Sequence, residues 1–479
     1  MSSATSPALD YALLLSSSAR NRMPSAIRSL FPAELIPGMV SLLSGKPNSE
    51  TFPFQRISLE LKPSIHLEGQ TETVSIEGSD LDIALQYSAT SGLPKLVDWI
   101  IKFQSRVHAR KQVDEGNKPG EVWRCSFGNG SQDLLTKTFE ALVDAGDSVV
   151  LESPAYSGIL PSLVAHKANL FEAETDAEGV EPTALDTLLT NWKTDSATRD
   201  SRFPKFLYTT PTGANPSGTS ASDNRKRAIL DIIRKHNLLL LEDDPYYFLS
   251  FQGLEPGADA VKRTRGKSYF QLEAQDDYGV GRVVRFDSFS KILSAGLRLG
   301  FVTGPKEILD AIDLDTSSRN LQTSGTSQAI AYALLSKWGI DGFLHHADNV
   351  ARFYQNRLER FEASAQAILT GSPSIASWVR PSAGMFLWIK LKLPPSPDSA
   401  EGDSFDLISN KAKAAGVLAL PGVAFKPPSS SSTGGKRKTS AYVRTSFSQV
   451  PLDQVDTAFT RLRQVVEEAW REAGLQIPA

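Results

Sequence analysis

Between about residues 120 and 305 the chain alternates short apolar runs with longer stretches that place apolar residues at helical spacing. Trp123-Arg124-Cys125-Ser126-Phe127, Ser148-Val149-Val150-Leu151 and Phe206-Leu207-Tyr208-Thr209 read as strands. So do Leu238-Leu239-Leu240-Leu241, Val283-Val284-Arg285-Phe286 and Leu299-Gly300-Phe301-Val302. Most lack the polar–apolar alternation of a half-exposed strand, and helical patterns at 131–144 and 222–236 lie between them. Strands apolar on both sides and joined by helices predict an α/β fold in three layers, a mainly parallel sheet covered on both faces. Ligands on such sheets bind beyond the carboxyl ends of the strands.

After about residue 335 the pattern changes. A helical stretch near 347–370 is followed by Gly384-Met385-Phe386-Leu387-Trp388-Ile389, by 416–422, by Tyr442-Val443-Arg444-Thr445-Ser446-Phe447 and by an amphipathic helix near 452–473. This mixture predicts a smaller α+β domain. Three stretches rich in Gly, Pro, Ser and charge read as exposed loops that bury no core: 116–120, 254–280 and 426–438. The basic run Lys436-Arg437-Lys438 at the end of the last is read as a solvated loop rather than an anchor.

Composition narrows the function classes. The chain has 479 residues, enough for two or three domains, with a formal net charge of -3. That balance argues against broad nucleic-acid binding, which needs a cationic surface. The single cysteine, Cys125, excludes an internal disulfide and a cysteine-based zinc cluster, and its strand position marks a buried thiol. No run of about twenty apolar residues is present, and Met1–Ser6 lacks the basic start of a secretory signal. The expectation is a cytoplasmic protein, with the mitochondrion second.

The polar clusters fall at the predicted strand ends. Lys291, in Ser288-Phe289-Ser290-Lys291, follows the Val283–Phe286 strand, and Arg298 lies shortly after. Such a lysine can hold an aldehyde as a Schiff base while hydroxyls and an arginine hold a phosphate, the needs of pyridoxal 5'-phosphate (PLP); a solvated surface lysine is the plainer alternative. Gly128-Asn129-Gly130-Ser131-Gln132 suits an anion at a helix N-terminus, or a bare strand-to-helix turn capped by Ser131. Glu242-Asp243-Asp244-Pro245-Tyr246 offers a carboxylate for a pyridine nitrogen and a phenol for the ring oxygen, or simple caps, or a metal site, though no further carboxylates converge from neighbouring strand ends as magnesium would need. Asn215, in a loop stiffened by two prolines and two glycines, can bond the ring oxygen and a substrate carboxylate, or serve only a turn. Tyr156 can stack on a planar ring, or fill a core.

Taken in order, these motifs resemble those of the fold-type I PLP-dependent aminotransferases. They are most similar to the subgroup of fungal aromatic aminotransferases and mammalian kynurenine/2-aminoadipate enzymes. The resemblance runs from about residue 22 onward and includes Leu85-Gln86-Tyr87, Glu152-Ser153-Pro154-Ala155-Tyr156, Arg298-Leu299-Gly300 and Gly384-Met385-Phe386-Leu387-Trp388. It implies that Lys291 binds the cofactor and shuttles a proton, that Asp243 pairs with the pyridine nitrogen, and that Asn215 and Tyr246 meet the ring oxygen. Ser131, Gln132, Ser288, Ser290 and Arg298 would hold the phosphate, with Tyr87 reaching in from the second subunit of a homodimer, and Tyr156 would stack. Arg444 would fork the substrate α-carboxylate, a surface salt bridge being its alternative. Arg28 and Gly45 belong to a segment that would close over substrate. The implied division is an arm and lid at 1–40, the first part of the small domain at 41–75, the PLP-binding domain at 76–335 and the rest of the small domain at 336–479.

Transamination of tryptophan, phenylalanine or tyrosine with 2-oxoglutarate or another 2-oxo acid is the leading expectation, with kynurenine and 2-aminoadipate next. A PLP-dependent lyase or decarboxylase is the second class. A ligand-sensing regulator is disfavoured by how little precedes the matched region.

Overall fold

The computed structural model describes residues 9–43, 45–62, 72–113, 115–116, 120–275, 278–428 and 437–478. The expected loops at 117–119 and 429–436, and the reading of Met1–Ser6, lie outside the described residues. An antiparallel hairpin, β1 (Arg56–Leu61) and β2 (Glu72–Glu77), comes first. The central sheet follows: β3 (Trp123–Gly128), β4 (Ser148–Glu152), β5 (Asn169–Ala173), then, past the two-residue strands β6 (Thr175–Asp176) and β7 (Gly179–Val180), β8 (Phe206–Thr209), β9 (Leu239–Asp243), β10 (Val283–Ser288) and β11 (Gly300–Pro305). Its seven strands run in the order β3-β11-β10-β9-β8-β4-β5, parallel except for β11, which is antiparallel to both neighbours. The expected α/β class and largely parallel sheet are what the chain forms.

Two apolar clusters cover the two faces, which is why the strands lack alternation. Val150, Leu207 and Leu240 point into one cluster with Leu96, Ile100 and Phe103 of helix Pro94–Val107. Val149, Leu151, Phe206, Leu239 and Leu241 point into the other with Leu134, Leu135 and Phe139 of helix Ser131–Leu142. Fully burying side chains of this size stabilises by roughly 1.5–3 kcal/mol each against leaving them exposed.

A 45-residue helical stretch, Gly325–Leu369, leaves this body. It breaks at Gly339, whose φ of 65° suits a residue without Cβ, and its second part reaches a third cluster through Leu358, Phe361 and Ala365. There β12 (Ala376–Trp378), β13 (Phe386–Leu391), β14 (Leu420–Pro421) and β15 (Tyr442–Ser446) form an antiparallel sheet in the order β12-β13-β15-β14. Helix Val455–Glu472 covers its apolar face with Phe459, Leu462 and Val466. The β1–β2 hairpin joins neither sheet; it packs against the first part of the long helix and helix Gly78–Leu85.

The 254–280 stretch is not the exposed loop expected. Leu254, Ala260, Tyr269, Phe270 and Leu272 are buried, and Arg265 pairs with the buried Asp348 at 2.5 Å. Its polar composition hides a short helix, Tyr269–Glu273, whose first N–H groups are bonded by Glu242. Of the basic run, Arg437 pairs with Asp403 and Lys438 with Glu172, so the end of that loop is tied down. Cys125 is buried beside Thr303. Among the described residues no helix is long and apolar enough to cross a membrane.

Candidate active site

The carboxyl ends of β3, β4, β8, β9 and β10 surround a cavity of about 230 Å³. Its wall contains Ser131, Gln132, Tyr156, Asn215, Asp243, Tyr246, Ser288, Ser290, Lys291 and Arg298, all expected from the sequence. Thr210, Pro245, Ala295 and Phe386 complete it, and these the sequence reading did not single out. Thr210 and Pro245 adjoin named motif residues, and Phe386 stands within a quoted motif without a role, so proximity in sequence was the available signal.

Strand alternation decides which acid of Glu242-Asp243-Asp244 reaches the cavity. Glu242 and Asp244 project to the opposite face, where they pair with the fully buried Arg285 at 3.1 and 3.0 Å, joined by Asp287 at 2.8 Å. Asp243 alone faces the cavity. Its Oδ2 accepts from the Tyr208 hydroxyl at 2.6 Å, whereas its buried Oδ1 has no hydrogen-bond partner among the described residues. Burial pushes its carboxyl up to about 7, opposed by the Tyr208 hydrogen bond.

Lys291 ends the short turn Phe289–Lys291 that β10 runs into. Partial burial, helped by the Arg298 and Arg444 charges, lowers the pKa of its ammonium, and only Asp243 opposes the shift. Beside it, the N–H of Ser290 donates to Ser288 Oγ at 3.2 Å. Arg298 adopts a left-handed backbone and spans the cradle, donating to Ser290 Oγ at 3.3 Å and to the Asn129 carbonyl at 3.0 Å. A Cβ on Gly130, whose φ is +91°, would meet the Arg298 guanidinium at 2.4 Å. Gly130, not Ser131, therefore occupies the N-cap of helix Ser131–Leu142, and the Ser131 cap is not made. That leaves the Ser131 side chain at the cavity wall, at the positive end of the helix.

Arg444 approaches from β15. It donates to Asn215 Oδ1 at 2.9 Å, and its guanidinium carbon lies 4.4 Å from the Phe386 ring centre and 5.1 Å from that of Phe425. Among the described residues its buried Nε has no partner and no carboxylate pairs with it, so no surface salt bridge is made. Gln132 donates to the Gly158 carbonyl at 2.9 Å, while its Oε1 has no partner among the described residues.

Three expected residues lie elsewhere. Tyr87 is half exposed on a separate groove. Arg28 donates to the Ser88 carbonyl and Thr90 Oγ1 at 3.2 and 2.9 Å, just past Tyr87. Gly45 is exposed with nothing near its Cβ position.

An anion cradle, a half-buried amine and an orphaned carboxylate oxygen fit PLP: the cradle its phosphate, Lys291 its aldehyde, and Asp243 Oδ1 its ring nitrogen. This is the wall of an enzyme that works through a lysine-bound cofactor. Comparison with known proteins agrees. An aminotransferase named tdiD from Emericella nidulans is 41% identical over 95% of each chain. The bovine mitochondrial kynurenine/alpha-aminoadipate aminotransferase is 35% identical over 96% of this chain and 100% of its own. The crystal structure of the aromatic aminotransferase Aro9 from Candida albicans superposes with a TM-score of 0.81 at 26% identity, covering 98% of this chain and 99% of that one. The model of the aminotransferase class I and II family matches residues 79–462, and the chain belongs to that family. It is a PLP-dependent aminotransferase.

Proposed function

We propose that the protein transaminates aromatic amino acids, tryptophan, phenylalanine and tyrosine, with 2-oxoglutarate or another 2-oxo acid as acceptor. The observation that carries the reading is Arg444: a partly buried guanidinium with no acidic partner among the described residues, bonded to Asn215 of the Lys291 cavity. It suits a bidentate grip on an α-carboxylate, made by every amino acid and oxo acid in the exchange. The rings of Tyr156, Tyr246 and Phe386 around the cavity, and the names borne by the relatives, favour an aromatic side chain.

When bound, PLP supplies the carbonyl that takes up the amino group and the ring that accepts the electrons left at the α-carbon. The protein's part is placement and proton movement. Lys291, whose ammonium is shifted toward easier deprotonation, takes the proton from the substrate α-carbon and returns it on the other side of the exchange. Asp243, held by Tyr208, would offer its free Oδ1 to the ring nitrogen, whose positive charge would favour the ionised carboxylate against the effect of burial. Asn215 and Tyr246 donate toward the ring oxygen, Tyr156 stacks, and Ser131, Gln132, Ser288, Ser290 and Arg298 hold the phosphate. Tyr87, exposed on its own chain, completes the phosphate site of a second copy in a homodimer. Arg28 and Gly45 belong to the closing segment, and residues near 335 divide the cofactor domain from the small one. The working compartment is read as cytoplasmic, the mitochondrion being second because the bovine, rat and mouse relatives are named for it.

A panel of amino donors with 2-oxoglutarate tests the substrate class. Tryptophan, tyrosine and phenylalanine should give their 2-oxo acids with higher kcat/KM than kynurenine or 2-aminoadipate. The reverse order would move the protein to the kynurenine/2-aminoadipate class. Product formed without any oxo acid would instead mark a lyase or decarboxylase.

A further inference from the structure

We propose that Phe425 is a positioning residue for the substrate-carboxylate arginine: its ring face stabilises the Arg444 charge without occupying the N–H groups that must grip substrate. The inference rests on the reading of Arg444 given above. Phe425 closes the short turn Gly422–Phe425 and is fully buried, yet it joins none of the three apolar clusters. Its surroundings are the Arg444 guanidinium at 5.1 Å and the Trp388 ring, edge-on at 5.5 Å and 85°. Its carbonyl accepts from the Ala155 N–H at 2.9 Å, which fixes it to the loop carrying Tyr156. Lys426, the next residue, donates to the Thr439 carbonyl at 3.1 Å and pins the base of the following segment.

The arrangement answers a conflict. A buried guanidinium needs compensation for the water it loses, and the usual compensation is a carboxylate. A protein carboxylate on Arg444 would take the same fork the substrate needs. An aromatic face attracts the cation through its quadrupole and leaves the in-plane N–H groups free. Phe386 gives one such face at 4.4 Å from β13, and Phe425 gives the other. Binding of carboxylate then requires no prior ion pair to break.

The test uses the holoenzyme and 3-phenylpropionate, a carboxylate probe with no amino group. Phe425→Leu should raise its Kd about tenfold, the size of a desolvated cation–π contact. KM for amino donor and oxo acid should rise in parallel, the change falling on KM more than on kcat. Because leucine also alters packing, the ring at 425 is replaced by 4-fluoro- and trifluorophenylalanine, which keep its shape and withdraw electron density. Log Kd should climb stepwise with fluorination while the thermal midpoint stays put. A flat fluorine series, or wild-type affinity in Phe425→Leu, overturns the proposal. Arg444→Ala separates the two readings: if it binds the probe as the wild type does, the Arg444 assignment itself falls. If it binds poorly while the ring variants bind normally, only Phe425 loses its role.

Discussion

A lysine in a serine-rich turn is ordinary, and Lys291 departs from that only through what surrounds it. Burial and the cations Arg298 and Arg444 all favour its neutral form, and only Asp243 pulls the other way. Replacing it with alanine should lower turnover by at least about a hundredfold, the smaller end of what a positioned general base contributes. The loss should be accompanied by loss of the cofactor's lysine-bound absorbance, read in the same sample. Asp243 depends on Tyr208 in turn. With Tyr208→Phe, Asp243 keeps no hydrogen-bond partner among the described residues, and its carboxyl should move further upward. The expected result is weaker cofactor retention on dialysis than in the wild type; unchanged retention would show that Tyr208 is only packing.

Elements explain which residues of a motif do the work. Along β9 the period of two sends Glu242 and Asp244 to Arg285 and leaves Asp243 to the site. The order of residues could not reveal this, because Arg285 lies in a distant apolar run and reads there as an interruption. The apolar runs themselves mapped well, since strands buried on both faces need no long-range information to be recognised. β5 escaped notice because it carries Asn169 and Glu172 near the sheet edge, and the β1–β2 hairpin because its exposed positions interrupt any run. Tyr208 and Phe425 were invisible as site residues for a related reason: each looks like core, and its partner arrives from another element.

Two predictions belong to this scale. Gly130→Ala places a methyl where Arg298 lies and strains a positive-φ turn, so PLP affinity should fall in equilibrium dialysis while far-ultraviolet circular dichroism is kept. Glu152, at the end of β4, is buried against Thr209 and Thr210, and burial pushes it from an ordinary 4.5 up to about 7. The folded protein then holds its proton more tightly than the unfolded chain. The stabilisation is full below the ordinary value and is lost as pH rises through about 7. Thermal midpoints should therefore decline across that window, with a shallower slope in Glu152→Gln.

At the scale of the whole molecule, the cavity gathers residues from a sheet built early in the chain and an arginine from its last strand. Helix Gly325–Leu369 links the two bodies, so the separation between Lys291 and Arg444 in sequence is bridged by one rigid stretch on each side of Gly339. Under the proposed homodimer, Tyr87 would serve a second copy. If it completes the partner's site, mixing Lys291→Ala with Tyr87→Ala after mild dissociation should restore turnover that neither variant shows alone, because one hybrid site then carries both residues. An active Tyr87→Ala alone would place Tyr87 outside catalysis, and an inactive one that is not restored would place it in its own chain's site. The chemistry turns on one amine, that of Lys291. Borohydride reduction of the PLP-loaded protein, followed by peptide mapping, should place the reduced pyridoxyl group on Lys291. A label on another lysine, or none, would contradict it.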